Sequence, residues 1–554
     1  MAQIHKPGET FVSMPSTSIP YSRVPHSSTL LLDYLRQYDR VSRFFSGSPF
    51  QFSNYAALAD KLDKLDTPRV ELAAVLARQN RALGCSEPTF ANIDRLSRSG
   101  TYAVVTGQQV GLLSGPAFTL YKALTTIRLS QKLTEQGVPS VPVFWLATED
   151  HDLKEVGETT FLTTGYELVA VCDQGEHSGV RPSVGQVKLT AAIESVLKSL
   201  EDGLPSGEAR DRLLQDLSEC YRPGVGWGEA FGRFLARLLS RWGVIFLDPL
   251  DEQVHRLALP AYLLALREAT ALRDRLLERS SALVRSGYHA QVRVAEDDTL
   301  LFLERNGSRV AVHQQQGSFL LDGVEEVPLA ELSARAERTP LAFSPNALFR
   351  PIVQDLLLPV IAYVAGPSEL AYLAQVQAIH ESFGRPMPIV FLRAAFTLLD
   401  LHTQRLMTKY RLSVEDVWQG DEHLRTRIGA ASFADAWRDR FEQSEKDLVT
   451  LLERLRDDVA ALDPTLLDFL THTREKMTFQ MERLKGKISR AALARSDLLA
   501  RHAREISCSV APHKDLQERQ LSGVSFLGRA GYDLLDRLLE HIGTDASDHQ
   551  VLVY

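Results

Sequence analysis

Apolar positions recur at intervals of three and four through Ser28–Phe45 and Tyr55–Leu83, a spacing that predicts two amphipathic helices at the head of the chain. The pattern then switches. Tyr102 to Val105 reads as a short strand that breaks into a loop, Thr106-Gly107-Gln108-Gln109, with Gly111 and Gly115 close behind. Pro116 stands where a first-turn proline is favoured, and Phe118, Tyr121, Leu124, Ile127, Leu129 and Leu133 give the stripe of the helix it opens. Val138–Ala147 is apolar without alternation, as a strand buried on both faces should be, and runs directly into Thr148-Glu149-Asp150-His151-Asp152. Phe231–Trp242 predicts a helix leading to another buried strand that ends at Asp248, and 252–286 predicts one long helix. Val292–Val324 reads as a hairpin-like stretch turning at Asn306-Gly307.

From Phe343 the αβ pattern returns. It runs through Ser344–Arg350, a hydrophobic helix or strand to Tyr363, a break at Ala365-Gly366-Pro367-Ser368-Glu369, a helix to Phe383 and a strand over Pro388–Leu392. Farther on, Phe441, Leu448, Leu452, Leu455, Val459 and Leu462 fall at heptad-like spacing, and Leu466, Leu470, Met477, Met481, Leu484 and Ile488 supply a return arm after Asp463-Pro464. This predicts a coiled-coil hairpin, followed by a closing segment that folds back on the core.

At 554 residues, the chain is expected to form three or four compact units. Its 44% hydrophobic and 24% charged residues are the balance of a globular protein. A net charge of −8 argues against nucleic acid as partner. The longest apolar candidate, Leu356–Ala365, is too short to span a membrane, and Met1–Pro20 lacks the plan of a secretory signal, so a cytoplasmic location is expected. Cys85, Cys172, Cys220 and Cys508 are widely scattered, which predicts neither disulfides nor a structural metal.

Candidate chemistry gathers at strand ends, where open parallel sheets bind ligands. Gly107 and Gly115 bracket a strand-to-helix turn whose helix N-terminus could receive a phosphate or carboxylate, although a structural glycine turn is as common and neither GxxxxGK[ST] nor GxGxxG is present. Lys122 could neutralise that phosphate, while periodicity alone favours a solvated helix lysine. Glu149, Asp150, His151 and Asp152 crowd three carboxylates and an imidazole together; such crowding raises a carboxylate pKa or recruits a cation, and suits acid/base work better than a plain solvated turn. Asn346 and Arg350 offer an amide and a guanidinium one turn apart, fit either to grip a carboxylate or to form a cap with a surface arginine. Gly366, Glu369 and Tyr372 repeat the earlier turn chemistry, and Arg393 lies at the same sheet edge. For Asp248 and His289 a structural role is favoured.

Thr106-Gly107-Gln108-Gln109, Ser114-Gly115-Pro116, Tyr121-Lys122 and Phe144-Trp145 leading to Glu149-Asp150-His151-Asp152 resemble one family, as do Ser344-Pro345-Asn346 with Arg350-Pro351, Ala365-Gly366-Pro367 with Glu369 and Tyr372, and Met387-Pro388 with Arg393. That family is the cysteine-adding enzyme of bacillithiol biosynthesis, BshC, and the motif order holds from Leu31 to Arg519. The resemblance implies an α/β, Rossmann-like parallel-sheet core akin to class I aminoacyl-tRNA synthetases, with two connecting-peptide insertions and a helical coiled coil that makes a homodimer. On that plan the core occupies 1–154, 225–292 and 341–397, the insertions 155–224 and 293–340 (the second β-rich), the coiled coil 398–510, and the closing segment 511–554. It also implies the reaction: amide formation between the carboxyl of cysteine and the amine of glucosaminyl malate, with ATP (or ADP or another nucleotide) as the expected activator and no metal assigned. Thr106, Gly107, Gln108, Gln109, Gly115, Pro116, Lys122 and Arg393 would then hold nucleotide, Glu149 to Asp152 would be catalytic, and Asn346, Arg350, Gly366, Glu369 and Tyr372 would hold substrate. The HIGH and KMSKS signatures of class I synthetases are missing; Lys476-Met477-Thr478 lies in the coiled coil, and the cysteines offer no zinc site for selecting a thiol. Another amine or amino acid substrate, or a non-catalytic dimeric scaffold, are the competing readings.

Overall fold

The computed structural model describes residues 16–175, 182–315, 317–321, 323–432, 435–545 and 548–554. Most of the polar N-terminal stretch, 1–15, and part of the first insertion, 176–181, therefore lie outside the described residues. The chain divides into two units, the first containing the described residues through Thr164, 169–396 and 518–550, the second 165–168, 397–517 and 551–554.

The first unit is built on a five-stranded parallel sheet of β1 (Tyr102–Gln109), β2 (Ser140–Ala147), β3 (Ile245–Leu247), β9 (Val360–Ala365) and β10 (Ile389–Leu392), in the spatial order β10-β9-β1-β2-β3. The chain first winds outward from β1 through β2 to β3 and later outward on the other side through β9 to β10. The order thus reverses between β1 and β9, the switch point where such sheets open a crevice. β2 is buried along nearly its whole length, as its unbroken apolar run predicts. β1 runs on through Thr106-Gly107-Gln108-Gln109 instead of breaking into a loop, in register with β2 from Tyr102↔Ser140 to Gln109↔Ala147. Gly107 permits this: a Cβ there would sit 3.1 Å from Cβ and the carbonyl oxygen of Trp145. Helix α1 (Phe118–Glu135) makes the β1-to-β2 crossover as predicted.

Prolines account for two departures from the predicted elements. The predicted Tyr55–Leu83 helix is two, Phe52–Leu62 and Arg69–Ala82, parted at Pro68. The apolar run toward Tyr363 is helix α4 (Arg350–Leu357), then Pro359, then strand β9. The long helix over 252–286 is also two, α2 (Glu252–Arg267) and α3 (Ala269–Arg285).

The β insertion carries β4 (Asp298–Arg305), β5 (Ser308–Gln315), β6 (Ser318–Leu321) and β7 (Glu325–Val327); β8 (Phe343–Pro345) completes an antiparallel sheet in the order β7-β6-β5-β4-β8. Asn306 and Gly307 turn β4 into β5 with φ of 51° and 74°, the left-handed pair that a two-residue hairpin demands. Helix α5 (Pro367–His380) connects β9 to β10.

The second unit is mainly helical. Its long arms, Asp435–Arg454 continued by Arg456–Leu462 and Leu466–Ala494, form the expected hairpin, in which Asp463 accepts from the backbone N–H of Thr465 at the turn. Leu462, Phe469 and Phe479 stay 82%, 72% and 61% exposed along it. Among the described residues no helix is long and apolar enough to cross a membrane.

Candidate functional site at the switch point

A cleft of about 730 Å³ opens at the carboxyl ends of β1, β2 and β9. Its walls come from the sheet, from α4 and α5, and from the β4–β5 hairpin. Of the residues singled out in the sequence, Gly107, Gln108, Gln109, Lys122, Glu149, Asp150, His151, Asn346, Arg350, Gly366, Glu369, Tyr372 and Arg393 meet there.

Lys122, on the first turns of α1, is 2% exposed, not solvated. Its ammonium donates to the Gly107 carbonyl at 2.8 Å and to Gln108 Oε1 at 3.0 Å, and it forms an ion pair with Glu369. Burial lowers the lysine pKa, against the pull of Glu369. Burial, the largest influence, would raise Glu369, but the Lys122 ammonium, the Gly366 N–H and Arg350 together hold that carboxyl below its ordinary value. Glu369 also accepts from the backbone N–H of Gly366 at 2.8 Å, boxing the start of α5, and from the Tyr363 hydroxyl at 2.8 Å. Arg350 donates to the hydroxyls of Tyr372 at 2.8 Å and Tyr363 at 3.1 Å. Arg393 is clamped to Glu518 by bonds of 2.6 and 3.0 Å, a buried bidentate pair.

At the end of β2, adjacent residues part company. Asp150 accepts from Gln109 Nε2 at 2.7 Å and from the backbone N–H of His151 at 2.6 Å, so it organises the turn. Glu149 turns inward and is buried; its carboxyl is pushed up to about 7, by burial first, with Arg309 lowering it and Asp248 raising it. The expected raised carboxyl is therefore present, but burial and not the crowding of neighbouring acids is its main cause. His255, from α2, places Nε2 3.5 Å from Glu149 Oε1.

Four expected residues do not reach the cleft. Thr106 donates to the Val364 carbonyl at 2.9 Å inside the sheet. Gly115 has φ +64°, and a Cβ on Gly111 would lie 2.8 Å from the Gly115 Cα, so the two glycines make a tight turn. Pro116 bridges to Ser522, and the Ala117 N–H donates to the Leu521 carbonyl at 2.8 Å. A distant segment thus covers the helix start where a phosphate was expected, and these residues do not fit a nucleotide phosphate. Asp152 caps the short helix Leu153–Val156 by accepting from the Glu155 N–H. Asn346 does line the cleft, but its amide is committed: it accepts from the N–H groups of Leu348 and Phe349 at 3.0 Å and donates to the Thr299 carbonyl at 3.2 Å. It caps the turn into α4, which leaves one amide N–H outside these bonds. As expected, Asp248 serves the framework, accepting from Thr148 at 2.5 Å and from the Leu250 N–H at 3.0 Å.

The sequence reading missed Arg309, His255 and Tyr262. Arg309 reaches in from β5 of the hairpin, donates to Ser344 Oγ at 2.8 Å and the Pro345 carbonyl at 2.6 Å, and stacks 4.0 Å over the Phe302 ring. Neither Arg309 nor Arg350 has a carboxylate within ion-pair distance among the described residues, whereas Lys122 and Arg393 are each neutralised. The cleft therefore presents two guanidinium groups outside ion-pair distance of any carboxylate among the described residues, and one buried, readily protonated carboxyl.

A doubly wound α/β protein with a charged cleft at its switch point is the class that fold and site define. Residues 14–394 match the domain described as "Bacillithiol biosynthesis BshC, N-terminal Rossmann-like domain", and 396–554 match "Bacillithiol biosynthesis BshC, C-terminal coiled-coil domain". Similar proteins named "Putative cysteine ligase BshC" come from Koribacter versatilis, 35% identical over 96% of this chain and 99% of the relative, and from Solibacter usitatus, 34% identical over 98% and 100%. A third, from Salinibacter ruber, is 32% identical over 94% and 96%. The chain belongs to the BshC family of bacillithiol biosynthesis.

Proposed function

We propose that the protein is a cysteine ligase that joins the carboxyl of cysteine to the amine of glucosaminyl malate, yielding bacillithiol. The observation that carries this reading is the meeting of Arg309 and Arg350, neither within ion-pair distance of a carboxylate among the described residues, with the buried Glu149 in one cleft. A malyl group brings two carboxylates for the guanidiniums, and an amine nucleophile needs a nearby proton acceptor. Family membership and the name carried by the relatives support the same reading.

Activation of the cysteine carboxyl by ATP is part of the proposal, but with the α1 start covered, no binding step is assigned to the Gly107–Gly115 turn. The exposed Leu462, Phe469 and Phe479 on the helical hairpin support a homodimer formed through that arm. Incubating the purified protein with cysteine, glucosaminyl malate and ATP-Mg²⁺ tests the reaction: bacillithiol, seen by mass spectrometry, is expected. Turnover of a different amine or amino acid in its place would move the assignment to another ligase.

A further inference from the structure

Behind Glu149 lies a line of buried polar groups. His255 and Tyr262 sit seven residues apart on α2, both buried, and the Tyr262 hydroxyl lies 3.2 Å from His255 Nδ1. The other ring nitrogen, Nε2, has no hydrogen bond, and neither does Glu149 Oε1, the oxygen it faces at 3.5 Å. Two buried polar atoms left open toward each other are costly, and a shift of a few tenths of an ångström would join them.

Resting on the ligase reading, we propose that Glu149 is the proton acceptor for the attacking amine and that His255, its tautomer fixed by Tyr262, is the positioning residue that holds and tunes the Glu149 carboxylate. Glu149 lines the cleft and can touch substrate; His255 acts through it. The Tyr262 phenol, kept protonated by its burial, donates to Nδ1 and leaves the imidazole proton on Nε2, aimed at Glu149. The imidazole stays neutral because burial depresses its pKa to about 4. The groups facing Glu149 are Arg309 from the hairpin, Arg350 from α4, Asp248 after β3, and His255 and Tyr262 from α2; His255 also faces the backbone carbonyls of Pro340, Phe343 and Pro249, and Asp251 at the head of its own helix.

In the step itself, the nitrogen lone pair of the neutral amine forms the C–N bond to the carbonyl carbon of an oxygen-activated cysteinyl group, an ester or mixed anhydride. The bond from that carbon to the leaving oxygen breaks, and its electron pair departs with the oxygen. One nitrogen proton passes to Glu149, which becomes the neutral acid and is ready to release that proton to solvent.

The test compares unfolding free energy against pH for the full chain with and without Glu149→Gln, in wild-type, His255→Leu, His255→Gln and Tyr262→Phe backgrounds. The difference curve reports the Glu149 titration without requiring turnover. In His255→Leu the carboxylate loses its donor, and the midpoint should rise by about one pH unit, a tenfold change in proton affinity. His255→Gln, which can present an N–H in place of Nε2, should restore it. Tyr262→Phe, the mildest change, should shift it in the same direction even if His255→Leu fails to fold. In the ligase assay, kcat should fall on the acidic side in step with the raised midpoint while KM holds. An unmoved midpoint in both His255→Leu and Tyr262→Phe, or a kcat–pH profile that ignores a moved one, overturns the proposal. Absence of bacillithiol formation by the wild type would instead defeat the ligase reading and leave the measured coupling in place.

Discussion

Glu149→Gln removes a titratable group from the floor of the cleft while keeping its shape, and the burial of that group sets the sign of the consequence. The folded-state carboxyl is raised from 4.5 to about 7, chiefly by burial. As pH rises, the unfolded chain therefore ionises this residue first and the folded chain resists. Below about pH 4 both states are protonated and the residue costs nothing. Between roughly 4.5 and 7 the penalty grows, and above 7 it is complete, at roughly 3 kcal/mol for a shift of this size. Wild type should thus lose stability relative to Glu149→Gln across that window, and the variant should be more stable at pH 8 while inactive as a ligase. Urea unfolding followed by tryptophan fluorescence at pH 4, 5.5, 7 and 8 measures the difference; Trp145 and Trp227 are buried in the unit that holds Glu149. A difference that stays flat with pH, or that shrinks as pH rises, would refute the reasoning.

Other perturbations separate holding the fold from holding substrate. Arg393→Ala leaves Glu518 buried without its partner, and should destabilise the first unit by about 3–5 kcal/mol in urea unfolding, with Arg393→Met/Glu518→Gln costing less than the single change. Lys122→Met should behave in the same way and be partly rescued by Glu369→Gln. Arg309→Ala or Arg350→Ala, each removing a charge-assisted contact to a malyl carboxylate, should raise the KM for glucosaminyl malate by roughly tenfold to a hundredfold and leave that for cysteine nearly unchanged, as initial rates would show. Leu462→Glu with Phe469→Glu should convert a dimer to a monomer in sedimentation at micromolar protein; a wild-type monomer would contradict the homodimer.

What could be read from the sequence follows the range of the interactions involved. β2 and its acidic end were legible because a strand buried on both faces writes an unbroken apolar run, and the polar residues after it mark the sheet edge. The Asn306-Gly307 hairpin was legible from local backbone geometry. Lys122 was misread because α1 is buried on almost every side and has no clean polar stripe. The usable signal was different: it is the lone charge between Phe118 and Ile127. His255 and Tyr262 share the buried face of α2 with Val254, Ala258 and Ala261, so their heptad spacing on an apolar stripe was a hint that went unused. Arg309 gave no such hint, since only the docking of the hairpin beside the sheet brings it to Glu149. The supposed phosphate seat failed for a similar reason. Leu521 and Ser522, some four hundred residues away in sequence, cover the turn, and nothing in Gly111–Pro116 could announce them.

The most direct test of the account is single-turnover mass spectrometry of the purified protein supplied with ¹⁸O-labelled cysteine carboxylate, glucosaminyl malate and ATP-Mg²⁺. The account predicts bacillithiol carrying one ¹⁸O in its new amide, formed by the wild type and suppressed by roughly two or more orders of magnitude in Glu149→Gln. Bacillithiol formed equally well by Glu149→Gln, or no amide formed by the wild type, would contradict it.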